Sequence, residues 1–328
     1  MERVKFGVRI PMSDRIDYFD LNFESLVESV LKASENIQPR TYIRVNTLKI
    51  SPSELRERLE SRGFILRQIE WNPHFFEVIS EPVAISKTVE HFLGYFLIQD
   101  LASSLPVLAL DLERGLLVLD GCAAPGAKTT YIAQLMHNDG MILAVEIDEN
   151  RLKALRDNVR RMGCANVIGV SGDLRDIVDS ILRQREEKFD RILLDVPCTG
   201  LGIISKDRGI YREIVKLGLN AFRRKVELMS IFQSELLYRT ARLLKPGGIL
   251  VYSTCSLTFE ENEGVVENFI SRSPEFRITD IELPIGHIAG IVRYEGRVHH
   301  PDLKKCWRIG YETFNSTGFF LCKLVREY

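Results

Sequence analysis

The chain has 328 residues, 45% of them hydrophobic and 27% charged, with a formal net charge of −1 at pH 7. Such a chain is globular with a sizeable core, as one large domain or two ordinary ones, and contains no low-complexity segment or internal repeat. No apolar run approaches the roughly 18 to 20 residues of a membrane helix, and MERVKFGVRIPMSDRID lacks the apolar stretch of a signal peptide, so a cytoplasmic protein free of membranes is expected.

The apolar spacing of SLVESVLKAS (25–34) predicts a helix. Residues 40–70 read as strand (TYIRVNTLKI), helix (SPSELRERLESRG, with a serine cap, an early proline and a closing glycine) and strand (FILRQIE). Residues 71–100 read as a connector rich in aromatics (Phe75, Phe76, Phe92, Tyr95, Phe96), followed by a helix in QDLASSLPVLALDL. From about 115 onward strands alternate with helices: GLLVLD and a helix from about 126, GMILAVEID and NRLKALRDNVRRMG, NVIGVSGD and a helix near 175–187, RILLDV, a long helix at 220–244, and GGILVYST after a Lys-Pro-Gly-Gly turn. That alternation argues for an α/β fold with a doubly wound, mostly parallel sheet.

The first strand leads into DGCAAPGAKTT. A Gly/Ala-rich turn between strand and helix admits a ligand close to the backbone. One inserted residue, Ala127, breaks the phosphate-loop spacing from Gly121, and the three-glycine dinucleotide pattern is absent. The second strand ends in VEID, where Glu146 or Asp148 can take both hydroxyls of a ribose, and Asp173 ends the third, where it can meet an adenine amino group. Any single acid of this kind can equally be a helix cap, but Asp120, Glu146, Asp173 and Asp195 occur at four successive strand ends. An adenosine-containing cofactor fits.

The six cysteines (Cys122, Cys164, Cys198, Cys255, Cys306, Cys322) include no C-x-x-C pair, so neither a zinc site nor a disulfide framework is indicated and no metal is expected. Two of them, in Pro197-Cys198 and Thr254-Cys255, close strands where such folds build their sites. Paired thiols at that place suggest covalent chemistry. Charge is uneven. Lys206, Arg208, Arg212, Lys216, Arg223, Arg224 and Lys225 crowd 205–227, and Arg297, Lys304, Lys305 and Arg308 crowd 297–308. Each run alone reads as a solvated face, and together with a nucleic-acid site they read as phosphate contacts.

The segments LDGCAAPGAKTT, VEIDENRL, GDLRD, FDRILLDVPCTGLG, LLKPGG, YSTCSLTFEENE and TGFFLCKL, with the approach YFLIQDLASSLP, resemble in order the RsmB/NSUN (Sun) family of RNA 5-methylcytosine methyltransferases. The resemblance covers most of the chain. It implies a Rossmann-like S-adenosyl-L-methionine-dependent methyltransferase fold at 101–328, with residues 1–100 as a small α+β module that binds RNA. It maps the nucleophile onto Cys255 and assistance in adduct breakdown onto Cys198. It also implies that Asp195 reaches toward the cytosine edge and that Lys128 is either catalytic or structural. The cofactor site would comprise Cys122, Ala123, Ala124, Pro125, Gly126, Ala127, Lys128, Glu146, Arg151, Asp173 and Asp195, with Cys122 a packed small residue rather than a third catalytic thiol.

Two segments depart from the family pattern: Ala127 stands where a second glycine is usual, and IISKDRGIYREIV keeps only part of the RNA-side pattern. The chain ends soon after TGFFLCKLVREY, so no appended RNA-binding domain is expected, and tRNA is favoured over ribosomal RNA for a monomeric enzyme of this compact form. The competing readings are a methyltransferase of a small molecule or protein, in which the thiols are incidental, and a non-catalytic RNA-binding factor that keeps the fold.

Overall fold

The computed structural model describes residues 21–184 and 189–328. The amino-terminal segment read for a signal peptide and the end of the helix expected near 175–187 lie outside these residues. No described helix is long and apolar enough to cross a membrane.

Asn22 caps helix α1 (Phe23–Glu35) through a reciprocal pair of bonds with Ser25. A four-stranded antiparallel sheet follows, from β1 (Thr41–Val45), β2 (Ile65–Gln68), β3 (Phe75–Ser80) and β4 (Phe96–Ile98) in the order β2-β3-β1-β4. Helix α2 (Pro52–Glu60) lies between β1 and β2, capped by the Ser51 hydroxyl, and the short α3 (Val89–Phe92) precedes β4. The connector expected at 71–100 is therefore corrected. It carries two strands, β4 only three residues long and β3 of six residues whose first three are all buried, so neither shows an alternating period in the sequence. The helix expected in QDLASSLPVLALDL shrinks to a 3-10 turn and α4 (Leu105–Leu108), because Leu105, Pro106 and Val107 are buried all round and Asp111 turns the chain at φ 47°.

Among the described residues the second sheet contains nine strands, eight on one path and a ninth beside the last strand of the chain. Strands β5 (Leu117–Asp120), β6 (Met141–Glu146) and β7 (Val167–Ser171) alternate with α5 (Ala127–Leu135), α6 (Glu149–Met162) and α7 (Leu174–Gln184). Next come β8 (Phe189–Asp195), α8 (Arg208–Leu217), α9 (Leu219–Ala241) and β9 (Leu244–Thr254). The chain closes with α10 (Glu263–Ile270), β10 (Phe276–Thr279), β11 (Ile288–Ala289), the ribbon β12 (Arg293–Tyr294) and β13 (Arg297–Val298), β14 (Trp307–Ile309), α11 (Tyr311–Phe314) and β15 (Phe319–Arg326). The order β11-β14-β15-β9-β8-β5-β6-β7 is parallel from β9 to β7, while β15 joins antiparallel to β9. After β7 the chain returns to lay β8 on the other side of β5. Such a switch point opens a crevice beyond the carboxyl ends of the strands. Lys245-Pro246-Gly247-Gly248, read as a turn before the last parallel strand, lies within the first residues of β9 itself.

The two sheets share one apolar core: Tyr42, Phe75 and Leu97 pack with Tyr131, Met162 and Leu193. Helix α1 instead packs its Phe23, Val27 and Val30 against Leu201, Ile204 and Phe222 of the later half. Polar contacts are as intimate. Lys49 Nζ donates to the Leu93 and Arg161 carbonyls at 2.9 and 2.7 Å, placing a cation on the last turn of α6. Arg44 is fully buried; its Nη1 donates to Gln99 Oε1 and to the Ala127 carbonyl, both at 2.7 Å, and its Nη2 to Thr130 Oγ1 at 2.8 Å. Its guanidinium lies 4.8 Å from the Tyr131 ring centroid. Burial pulls its pKa down to about 10, which leaves it charged at neutral pH. Since bonds to a charged group contribute about 1.5 to 3 kcal/mol each, Arg44→Ala is expected to lower unfolding stability by at least about 2 kcal/mol in urea titration. A loss under about 0.5 kcal/mol, the range of ordinary surface substitutions, would contradict this bracing role.

Candidate active site

Asp120 closes β5, and Gly126 then takes φ 98° before α5 begins at Ala127. The left-handed residue is the glycine, so the alanine that departs from the usual pattern sits in ordinary helix and is tolerated. Ala123 and Ala124 are buried against Leu152 and Leu155 of α6, while Asn158 Nδ2 donates to the Pro125 carbonyl at 2.9 Å. Beyond the loop lies a cleft whose walls include Cys122, Glu146, Ile147, Arg151, Asp173 and Phe232. Glu146 is buried; its oxygens accept from the Ala124 amide at 3.3 Å and the Asp148 amide at 3.0 Å. Arg151 stands 3.6 Å from Glu146 Oε2 and donates to the Ala124 carbonyl at 2.8 Å. Asp148, the other acid of this strand end, caps α6, accepting from the Asn150 and Arg151 amides at 2.8 Å.

Asp173 is held by a neighbour that sequence reasoning passed over. Arg175 Nε and Nη2 meet its two oxygens at 3.0 and 2.6 Å, and Arg175 Nη1 donates to Glu235 at 3.1 Å. The Arg175 hydrogen bonds hold the Asp173 carboxyl below its usual range. The i,i+2 spacing in GDLRD was the available signal.

The second half of the site lies at the ends of β8 and β9. Parallel pairing sets Asp195 beside Ser253, whose hydroxyl donates to Asp195 Oδ1 at 2.8 Å, while Lys128 Nζ reaches Asp195 Oδ2 at 2.7 Å. Burial alone would depress the Lys128 ammonium; the Asp195 charge and hydrogen bond outweigh it and hold Lys128 above its usual value. Nζ also sits 5.3 Å from the Phe319 ring centroid. Just beyond, the sulfurs of Cys198 and Cys255 are 3.0 Å apart and both cysteines are free. The hydrogen bond to Cys255, then burial, push the Cys198 thiol well above its usual value.

Of the other cysteines, Cys122 and Cys164 show no such arrangement. Burial pushes up the Cys122 thiol, and lifts Cys164 to about 11, as expected of inert packed residues. Cys306 and Cys322 form a second thiol pair, fully buried and away from the cleft: burial, then the hydrogen bond to Cys322, push the Cys306 thiol well above its usual value.

The expected basic surface is partly neutralised. Lys206 pairs with Asp100 at 2.7 Å, Arg223 with Glu295 at 2.7 Å and Lys225 with Glu213 at 2.5 Å. Arg308 is no surface charge at all: it is buried in an ion pair with Glu263 at 2.5 Å. Arg212, Lys216, Arg224, Arg297 and Lys304 remain exposed.

The doubly wound sheet with a ligand cleft at its switch point is the Rossmann-like fold of methyltransferases. The family described as 16S rRNA methyltransferase RsmB/F matches residues 107–325, and the chain belongs to this RsmB/F methyltransferase family. It is 34% identical over 313 residues to the 25S rRNA (cytosine-C(5))-methyltransferase nop2 of Schizosaccharomyces pombe, covering 94% of this chain and 49% of that protein. It is 32% identical over 286 residues to the tRNA (cytosine(49)-C(5))-methyltransferase of Pyrococcus abyssi, covering 87% of this chain and 88% of that protein. The crystal structure of a methyltransferase homologue from Pyrococcus horikoshii superposes with a TM-score of 0.75 at 35% identity, covering 91% of this chain and 90% of that one. The chain thus spans about half the length of the yeast relative and nearly all of the archaeal ones.

Burial pushes the Asp120 carboxyl up to about 7, against the Thr129 hydroxyl that donates to it at 2.7 Å; its other oxygen has no partner among the described residues. An acid raised on folding keeps its proton where the unfolded chain has lost it, so stability falls as pH rises from 3.8 toward about 7 and is level above that. Relative to the unmutated chain, Asp120→Asn is expected to gain stability across that window, by about 1 to 4 kcal/mol at its upper end. Parallel stability–pH curves from denaturant titrations would contradict this.

Proposed function

We propose that the chain transfers a methyl group from S-adenosylmethionine to carbon 5 of a cytosine in RNA, through a covalent adduct on Cys255, and that its substrate is tRNA. The single observation that carries this reading is the pair of thiols 3.0 Å apart beside the Lys128–Asp195 pair. Carbon 5 of cytosine is too poor a nucleophile to take a methyl group unaided, and addition of a thiolate at carbon 6 makes it enamine-like.

The cleft suits the cofactor. Glu146 keeps lone pairs for two ribose hydroxyls, exposed Ile147 offers an apolar wall for a base, and the left-handed Gly126 permits close approach of a ligand to the backbone. When bound, S-adenosylmethionine supplies an electrophilic methyl group. Cys255 adds to carbon 6 as its thiolate. Asp195 accepts from the exocyclic amine of the base while Lys128 fixes its orientation. After methylation, Cys198 gives its proton to solvent and takes the proton from carbon 5; that C–H electron pair re-forms the 5,6 double bond, the carbon 6–sulfur bond breaks, and Cys255 leaves as a thiolate. Exposed Arg212, Lys216 and Arg224 on α8 and α9, with Arg297 and Lys304, supply phosphate contacts on the RNA side.

The tRNA assignment is supported by the near full-length match to the archaeal relative named for tRNA, whereas the relatives named for ribosomal RNA support ribosomal RNA as the second reading. Bisulfite sequencing of total RNA with and without the gene separates them; loss of 5-methylcytosine confined to ribosomal RNA would reverse the choice. Glu146→Ala is expected to weaken S-adenosylmethionine binding about 5- to 150-fold by calorimetry, the equivalent of 1 to 3 kcal/mol, and unchanged affinity would remove Glu146 from the cofactor site. Cys255→Ala should abolish turnover with no covalent complex. Cys198→Ala should stall after methyl transfer, leaving a protein–RNA adduct that survives denaturing electrophoresis; the opposite pattern would exchange the two roles.

A further inference from the structure

Directly behind the two thiols lies a carboxylate without a counterion. Glu261 is fully buried, and no Lys or Arg pairs with it among the described residues. Both of its oxygens are saturated by neutral donors. Oε1 accepts from the Thr199 amide at 2.9 Å and Gln233 Nε2 at 3.0 Å. Oε2 accepts from the hydroxyls of Thr199 and Ser256, each at 2.5 Å, and of Thr258 at 3.1 Å. Burying such a charge costs several kcal/mol unless donors converge on it, and this convergence also forces every hydroxyl to point at one oxygen.

The donors are not scattered. Thr199 directly follows Cys198, and Ser256 directly follows Cys255, so one carboxylate grips both thiol-bearing loops at the next residue. The surroundings reinforce the grip. Gln233 Nε2 also donates to the carbonyl of Pro197, on the other side of Cys198, at 2.8 Å. Tyr252 Oη donates to the Glu261 carbonyl at 2.6 Å, and Asn262 joins Thr254 Oγ1 at 2.6 Å and the Ser256 carbonyl at 3.0 Å.

We propose that Glu261 is the positioning residue that sets the separation of Cys198 and Cys255, so that the attacking and the releasing sulfur face the same atom pair of the base. This deepens the reading of a two-thiol methyl transfer and rests on it. Glu261 touches neither sulfur and acts through Thr199 and Ser256. A glutamine keeps only part of the grip, since an NH2 end facing the hydroxyls no longer accepts from them, and one facing the Thr199 amide and Gln233 leaves those N–H groups without their acceptor. The negative charge of Glu261 also contributes, after the Cys255 bond and burial, to keeping Cys198 protonated.

The sulfur separation can be measured without RNA or cofactor, which keeps this claim distinct from the methyltransferase reading. The reduced full-length chain is treated with diamide, which takes two electrons and two protons from Cys198 and Cys255 and becomes a hydrazine as the disulfide forms. Remaining thiols are then blocked with N-ethylmaleimide, and the Cys198–Cys255 peptide is quantified by mass spectrometry. The unmutated chain is expected to form this disulfide readily, and Glu261→Gln about tenfold more slowly with the other cysteines unchanged, because exchange depends on access of one sulfur to the other. In methyl-transfer assays kcat should fall while the calorimetric affinity for S-adenosylmethionine stays the same. Ser256→Ala and Thr199→Val each remove a single arm and should slow the disulfide by a smaller factor, which gives the answer if Glu261→Gln does not fold. Formation at the unmutated rate in folded Glu261→Gln, or in both single-arm variants, overturns the proposal.

Discussion

The site depends on the parallel pairing of β8 with β9. Leu194 lies beside Tyr252 and Asp195 beside Ser253, so the residues that follow each strand emerge at one end of the sheet. A register slip of one residue would turn Asp195 away from Lys128 and move Cys198 and Cys255 to different heights. The pairing is protected on its outer side by β15, which sets Phe320 opposite Thr254, and beyond the strand by the Gly202 amide, which donates to the Cys255 carbonyl at 2.8 Å. No room is left there for a larger residue, since a Cβ on Gly202 would stand 2.6 Å from that carbonyl oxygen.

The cofactor side is braced from the opposite direction. The carbonyl of Ala127 and the hydroxyl of Thr130, in the first turn of α5, are both taken by Arg44 on β1. The small antiparallel sheet and the cofactor loop therefore share one buried cation, and Lys49 from the same region closes α6. A module that reads from sequence as an RNA grip is also part of the wall that fixes the loop at 121–128.

Much of the site was legible in the sequence because it occurs at strand ends. Short apolar runs closed by Asp120, Glu146, Asp173, Asp195, Cys198 and Cys255 mark positions that a doubly wound sheet must bring to one edge, whatever the helices between them do. The partners were less legible. Arg44 binds residues more than 80 positions away, and Ser253 reads as one more strand residue, its facing fixed only once the register of β8 on β9 is known. Glu261 stood in a quoted motif, FEENE, yet nothing in its spacing separates a carboxylate buried among hydroxyls from a helix-start acid in solvent. Strands β3 and β4 were missed because neither alternates: Phe75 and Leu97 face the core shared with the second sheet while their neighbours Phe76 and Phe96 face the small sheet's own core, and the basic surface was overcounted because Arg308 finds Glu263 across 45 residues.

The most direct measurement is to trap the adduct on the unmutated chain with a tRNA transcript containing 5-fluorocytidine. Fluorine at carbon 5 cannot leave as a proton does, so the covalent complex persists after methyl transfer. Nuclease and protease digestion followed by mass spectrometry then locates the modified nucleotide. The account predicts a methylated fluorocytidine on the peptide that carries Cys255, and none on that of Cys198. Attachment at Cys198, or a complex lacking the transferred methyl group, would contradict it.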